Sequence, residues 1–308
     1  MNKATVKKYY QLTKPGIIYG NVLTVIAGFF IATSMDTSAD WGLLLAVTLG
    51  VALVIGASCV FNNYLDRGID SKMRRTSKRA LVQGTISGRS AILYGIVLAA
   101  IGFAVLGFFV NILTLLLGVL AMQFYVIVYG YAKRHSWHGT LVGTIPGALP
   151  IVAGYTAVTN EWDMPALILF LFMAIWQMPH FYAIAIYRKE EYAAAGIPVV
   201  SIVKGVRFTK IAISIYIAIL TAFMSVVLFL SLFPTIYGFE VNLFAVIFFI
   251  FIVFLFRWLY IALSGFSAKD DNKWARKVFG FSLLVLLAFC SLGPISYILS
   301  QLFPSAGV

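Results

Sequence analysis

Ala57-Ser58-Cys59-Val60-Phe61-Asn62-Asn63-Tyr64-Leu65-Asp66-Arg67-Gly68-Ile69-Asp70 is where an apolar run that begins near residue 41 meets its first polar and charged side chains. A helix of about 20 apolar residues crosses the hydrocarbon core of a bilayer, and the run is long enough to do so. Beyond it, Asn62, Asp66 and Asp70 stand four residues apart. At about 100° per residue such positions drift only about 80° around a helix, so the three side chains share one face. Arg67, Lys72, Arg74, Arg75, Lys78, Arg79 and Arg89 interleave with them or follow. Mg2+ is typically held by one or two carboxylates together with substrate phosphate oxygens, and arginines suit phosphate. The stretch therefore reads as a diphosphate site at a membrane surface or, equally, as a solvated helix end laced by intrahelical ion pairs, because charge runs ordinarily just solvate a face. Neither carboxylate is expected to support packing.

The rest of the chain has the same character. Hydrophobic residues make up 61% of the 308 and charged residues 11%, which excludes a soluble globular domain. The fold class is all-α and polytopic, with nine spans at about 17–34, 41–61, 91–110, 112–132, 139–158, 164–187, 211–233, 241–263 and 278–302. Only Val110-Asn111 divides the third from the fourth, and merging them gives eight. The distribution of Lys and Arg favours nine, because alternate segments (the N-terminus, 62–90, 133–138, 188–210 and 264–277) then carry 22 of the 23. The opposite loops carry none and hold Asp36, Asp40, Glu161, Asp163 and Glu240. This predicts a cytoplasmic N-terminus and an external C-terminus in the plasma (inner) membrane of a bacterium. Arg257, inside the eighth span, is expected to snorkel to the cytoplasmic surface rather than face the interior. The net charge of +12 is mainly a topology signal; membrane lipid and an anionic substrate are its secondary readings, and nucleic acid is not a partner. Cys59 and Cys290 fall in apolar spans as small buried hydrophobes.

Four spans separate the motif loop 62–90 from a second long loop, 188–210, which suggests a four-helix pseudo-repeat around a central cavity within one domain, 1–308. The second loop follows Trp176-Gln177-Met178-Pro179-His180 and contains Arg188-Lys189-Glu190-Glu191-Tyr192. His180 reads as a ligand or as a satisfied bundle residue, and the two glutamates as a ligand pair or a solvated helix end. Gly139, Gly143, Pro146, Gly147, Pro150 and Gly154 mark the fifth span as closely packed or kinked. No acid lies near a span centre, which argues against an ion-coupled transporter, and no phosphate-binding loop of the ATPase type occurs. An enzyme working at the cytoplasmic membrane face fits better than a pump or channel.

Asn62-x-x-x-Asp66-x-x-x-Asp70, followed by Arg74-Arg75-Thr76-x-x-Arg79, resembles the first signature of the intramembrane aromatic prenyltransferases. Within that superfamily Thr13-Lys14-Pro15-Gly16-Ile17, Lys133-Arg134-His135-Ser136 and Trp176 through His180, with Ala195-Gly196-Ile197-Pro198, are similar to the heme O synthase branch, over residues 9 to 280. The quinone-pathway branch usually has an aspartate-rich second motif where this chain has His180 and residues 188–192.

The resemblance implies nine helices around a cavity open to the cytoplasmic face, a farnesyl diphosphate donor, Mg2+ and protoheme IX as acceptor. It implies that Asn62, Asp66, Asp70 and Glu191 hold the metal, with Glu190 a weaker candidate. Arg74, Arg79, Arg188 and Lys189 would contact phosphate, Lys133 and Arg134 the diphosphate or the heme propionates, and His180 the heme iron or the acceptor's orientation. Glu191 in place of the usual aspartate leaves open whether one metal ion binds or two. Ionisation of the allylic diphosphate, attack by a heme vinyl group and capture of the resulting cation by water would give heme O, for hand-over to a heme A synthase or a terminal oxidase. Two other readings remain: prenylation of a quinone-precursor aromatic acid, and a carrier for heme or lipid that needs neither Mg2+ nor diphosphate.

Overall fold

The computed structural model describes residues 3–33, 38–236 and 243–302. Asp36, Glu240 and the chain from residue 303 lie outside the described residues, so the sequence readings that touch them concern positions beyond this description. A short surface helix, α1 (Lys3–Leu12), leads into α2 (Pro15–Thr33), α3 (Trp41–Asp70) and α4 (Gly88–Phe109). Then come α5 (Ile112–Gln123) and α6 (Tyr129–His135), joined through a π turn at Phe124–Val128 into one span. The second half holds α7 (Gly139–Thr159), α8 (Met164–Tyr187), the short α9 (Lys189–Ala194) and α10 (Val200–Val203), α11 (Gly205–Ile236), α12 (Leu243–Leu263) and α13 (Asp271–Leu302). Nine of these segments are long and apolar enough to cross a membrane, counted among the described residues.

Local chemistry sets the boundaries. Asp40 and Asp163 cap α3 and α8 by accepting from the backbone N–H groups of Leu43 and Ala166, each at 3.0 Å. Asn111 separates α4 from α5: its Oδ1 accepts from Thr114 N at 2.8 Å, and its Nδ2 donates to Thr156 O at 2.7 Å. A capping side chain tied to a neighbouring helix is a stronger break than the apolar flanks suggest, and this decides for nine spans over eight. At the basic face the helices overrun their apolar runs. α3 continues to Asp70, α11 begins at Gly205 and α13 at Asp271, because loss of hydropathy marks where the membrane ends and not where backbone hydrogen bonding stops.

α2 and α7 form the central crossing. A Cβ on Gly28 would lie 2.0 Å from Ile151 O, and one on Gly154 would lie 2.0 Å from Val25 O, so only glycine permits this backbone approach. Close packing, one of the two readings of the fifth span, is thereby explained. α8 packs on α7, α11 and α13, and α13 returns to α2. Leu93, Ile101, Phe108 and Phe249 are exposed on the outside, as lipid-facing residues of an integral membrane protein must be. Arg257 is also exposed, with its guanidinium 5.1 Å from the Tyr260 ring, on the exterior and away from the interior of the bundle. Cys59 and Cys290 are free and buried.

Candidate active site

A cavity of about 1490 Å³ runs into the bundle between α2, α3, α5 to α8 and α13; among the described residues α4, α11 and α12 contribute nothing to its wall. Its inner part is apolar, with Val51, Leu117, Leu149, Ala153 and Leu286, and its mouth carries Lys14, Asn62, Asp66, Asp70, Arg79 and Lys133.

The overrun of α3 builds the mouth. Asn62, Asp66 and Asp70 are all buried, and each is engaged by a residue outside α3. Lys14 Nζ donates to Asn62 Oδ1 at 3.1 Å. Asp66 is paired with Lys133 and, at 2.8 Å, with Arg134 Nη2. Arg79 Nη1 pairs with Asp70 and also donates to Asn63 Oδ1 at 3.0 Å, while Asn63 Nδ2 donates to Leu12 O at 2.8 Å. The expectation that neither carboxylate supports packing is corrected here: Asp66 and Asp70 tie α3 to α6 and to the following loop. A solvated helix end is likewise ruled out, since the donors come from other elements and solvent is largely excluded.

Lys14 reaches this cluster from a left-handed backbone, φ 52°, directly before Pro15. That conformation is unfavourable for a residue with a Cβ and is tolerated where surroundings impose it. Burial, aided by the nearby Arg79 and Lys133 charges, pushes the Lys14 ammonium down to about 8.

Two carboxylates face four cations, so the cluster carries surplus positive charge. Asn62 Nδ2 and Arg134 Nε are buried with no partner. Both are N–H donors, so what they lack is an acceptor, as phosphate oxygens would supply. Asp66, Asp70 and Asn62 Oδ1 form a hard oxygen donor set that fits Mg2+. No three His, Cys, Asp or Glu residues come together among the described residues.

The second cluster is looser. Glu191 Oε2 lies 3.5 Å from Arg188 Nη1 and 4.0 Å from Arg75 Nε, and its side chain is 34% exposed. Arg188 lines the cavity, whereas Lys189 and Glu190 are exposed and do not. Arg74 is exposed as well, and Arg75 takes the place at the wall that sequence reading assigned to Arg74. Lys14 and Arg75 stood in the quoted motifs with no role assigned to them, and the cavity aromatics Tyr125 and Tyr129, stacked at 5.5 Å beside the π turn, were not singled out by sequence. The π turn was the missing signal for the tyrosines, and hydropathy does not reveal it.

His180 also faces the cavity, seven residues before the end of α8 and hence about 10 Å below it. It stacks on Trp176 at 4.8 Å, and its Nδ1 meets Ser282 Oγ at 2.7 Å.

The model of the UbiA prenyltransferase family matches residues 21–297. The protoheme IX farnesyltransferase of Cronobacter sakazakii is 46% identical over 282 residues, covering 91% of this chain and 92% of that protein. The protein of the same name from Edwardsiella ictaluri is 43% identical over 301 residues, covering 97% and 98%. Among solved structures, a UbiA homolog from Archaeoglobus fulgidus bound to GPP and Mg2+ superposes with a TM-score of 0.70 at 18% identity, over 94% of this chain and 99% of that one. That likeness is one of fold.

Proposed function

The chain belongs to the UbiA prenyltransferase family, and from that premise we propose that it transfers the farnesyl group of farnesyl diphosphate to a vinyl group of protoheme IX, with addition of water, giving heme O and diphosphate. The observation that carries this reading is the pairing of a surplus-cation mouth, with the unpartnered Asn62 donor, to a deep apolar cavity containing His180.

The diphosphate lies at the mouth, where its oxygens take the free donor of Asn62 and draw on Lys14, Arg79, Lys133 and Arg188, while Arg134 stays on Asp66 behind the wall. Asp66 and Asp70, with Asn62, would hold Mg2+, which would supply Lewis-acid stabilisation of the leaving diphosphate. Glu191 acts through Arg75 and Arg188, which it orients toward the same anion. The farnesyl chain runs inward along the apolar wall, which Tyr125 and Tyr129 also line as aromatic neighbours of the cationic carbon that forms as its C–O bond breaks. The heme vinyl carbon attacks that carbon, forming the C–C bond. The porphyrin-stabilised cation left behind takes a water oxygen and releases one proton. Protoheme enters with its propionates near the basic loops and its ring beside His180.

The protein lies in the inner membrane of a bacterium with its N-terminus and cavity mouth cytoplasmic, as the grouping of nearly all loop cations on the side that carries the mouth supports. Reporter fusions after residues 75, 162 and 200 should read inside, outside, inside; the reverse order rejects this orientation. Purified protein with Mg2+, farnesyl diphosphate and reduced protoheme should yield a heme heavier by one farnesyl group and one water. Farnesylated quinone precursor with unchanged heme would assign a different acceptor, and no prenylated product at all would leave a carrier.

A further inference from the structure

His180 is held by four side chains of two helices. Trp176 stacks on its ring at 4.8 Å from the preceding turn of α8, Phe181 meets it edge-on at 5.1 Å, and Phe279 of α13 lies at 4.8 Å. Ser282, buried on α13, completes the cage. Its backbone oxygen accepts from Trp176 Nε1 at 3.0 Å, and its hydroxyl meets two atoms: Phe279 O at 2.6 Å and His180 Nδ1 at 2.7 Å.

A hydroxyl has one proton and a carbonyl oxygen has none. The short contact to Phe279 O therefore takes the Ser282 proton, and the contact to Nδ1 must run the other way, with Nδ1–H donating to the Ser282 lone pair. A neutral imidazole protonated at Nδ1 has a bare Nε2. His180 Nε2 makes no hydrogen bond among the described residues, and the residue lines the cavity.

We propose that Ser282 is a positioning residue that fixes His180 as the Nδ1–H tautomer, so that Nε2 presents its lone pair to the cavity as an axial ligand for the iron of the heme substrate. This deepens the function proposed above and rests on it. Free imidazole in water favours the other tautomer, which would aim an N–H into the cavity and could not bind iron. An axial bond from a ring clamped between aromatics also sets the porphyrin's distance from the wall of α8, and with it which carbons the farnesyl chain can reach.

The chain has only three histidines, His135, His138 and His180, so nitrogen-15 labelling of the imidazoles resolves the tautomer directly in the full-length protein without heme. The resonance pair lost in His180→Ala should show a protonated Nδ1 and a bare Nε2, and a protonated Nε2 overturns the proposal whether or not any variant folds. In Ser282→Ala the Nε2–H form should appear, a change that a purely structural role would not produce. Ferric protoheme added to the wild type should give the absorption spectrum of an imidazole-ligated heme, with affinity about tenfold weaker in Ser282→Ala. Unchanged affinity and an unchanged spectrum would overturn it. Failure of the wild type to farnesylate heme strikes the function instead and leaves the tautomer result standing.

Discussion

The end of α3 and the segment that follows α8 carry similar charges in the sequence, and the folded protein treats them differently. Asp66 and Asp70 are buried and gripped by Lys133, Arg134 and Arg79 from other elements. Glu191 is one-third exposed and sits at 3.5 and 4.0 Å from its arginines. Desolvation separates the two cases: a buried charge stripped of its partner has no water to turn to, whereas an exposed pair exchanges its partner for solvent at little cost. The first cluster consequently ties elements together at the mouth, and the second is an adjustable rim.

The largest effect is expected at Asp66 and Asp70. Asp66→Asn or Asp70→Asn should lower farnesyl transfer by at least about a hundredfold, since each removes a charged ligand from the leaving-group site. Asp66→Asn should also cost about 3 kcal/mol, because Lys133 and Arg134 are left facing each other without a counter-charge. Thermal unfolding in detergent beside turnover measures both, and wild-type turnover in the two variants would reject the assignment. Next comes Lys14→Gly, which removes the ammonium and relieves a left-handed backbone at the same position. The protein should remain folded while affinity for farnesyl diphosphate falls about tenfold; unchanged affinity would remove Lys14 from the site.

Glu191→Gln tests the rim. Transfer should drop only about threefold and unfolding should shift by less than about 0.5 kcal/mol, as for an exposed pair. A loss equal to that of Asp66→Asn would make Glu191 a metal ligand and erase the contrast between the two regions. The smallest difference separates neighbouring arginines. Arg75→Ala, at the cavity wall, should raise the KM for farnesyl diphosphate a few-fold, while Arg74→Ala, pointing to solvent, should leave it unchanged.

Much of this site was legible in the sequence because helix periodicity places Asn62, Asp66 and Asp70 on one face whatever they touch. Arg79, Lys133, Arg134, His180 and Arg188 were also identified from the chain, and the structure brings all of them to the cavity or to the carboxylates at its mouth. Arg74 and Lys189 were misplaced for one reason: where two basic residues stand side by side, as in Arg74-Arg75 and Arg188-Lys189, a single step around the backbone decides between wall and solvent, and hydropathy is blind to it. Lys14 went unremarked as a site residue because its role depends on a backbone conformation that no residue pattern announces.

The number of spans, the sidedness of the cations and the shared face of the three oxygen donors were determined by the sequence alone. Each is a local property of the chain, fixed by the hydropathy of about 20 residues or by a repeat of four. The partners were decided only by the tertiary structure. Lys14 meets Asn62 across 48 residues, Lys133 meets Asp66 across 67, and His180 meets Ser282 across 102. Which helices adjoin depends on where small residues such as Gly28 and Gly154 let backbones approach, and that selection acts among all nine spans at once.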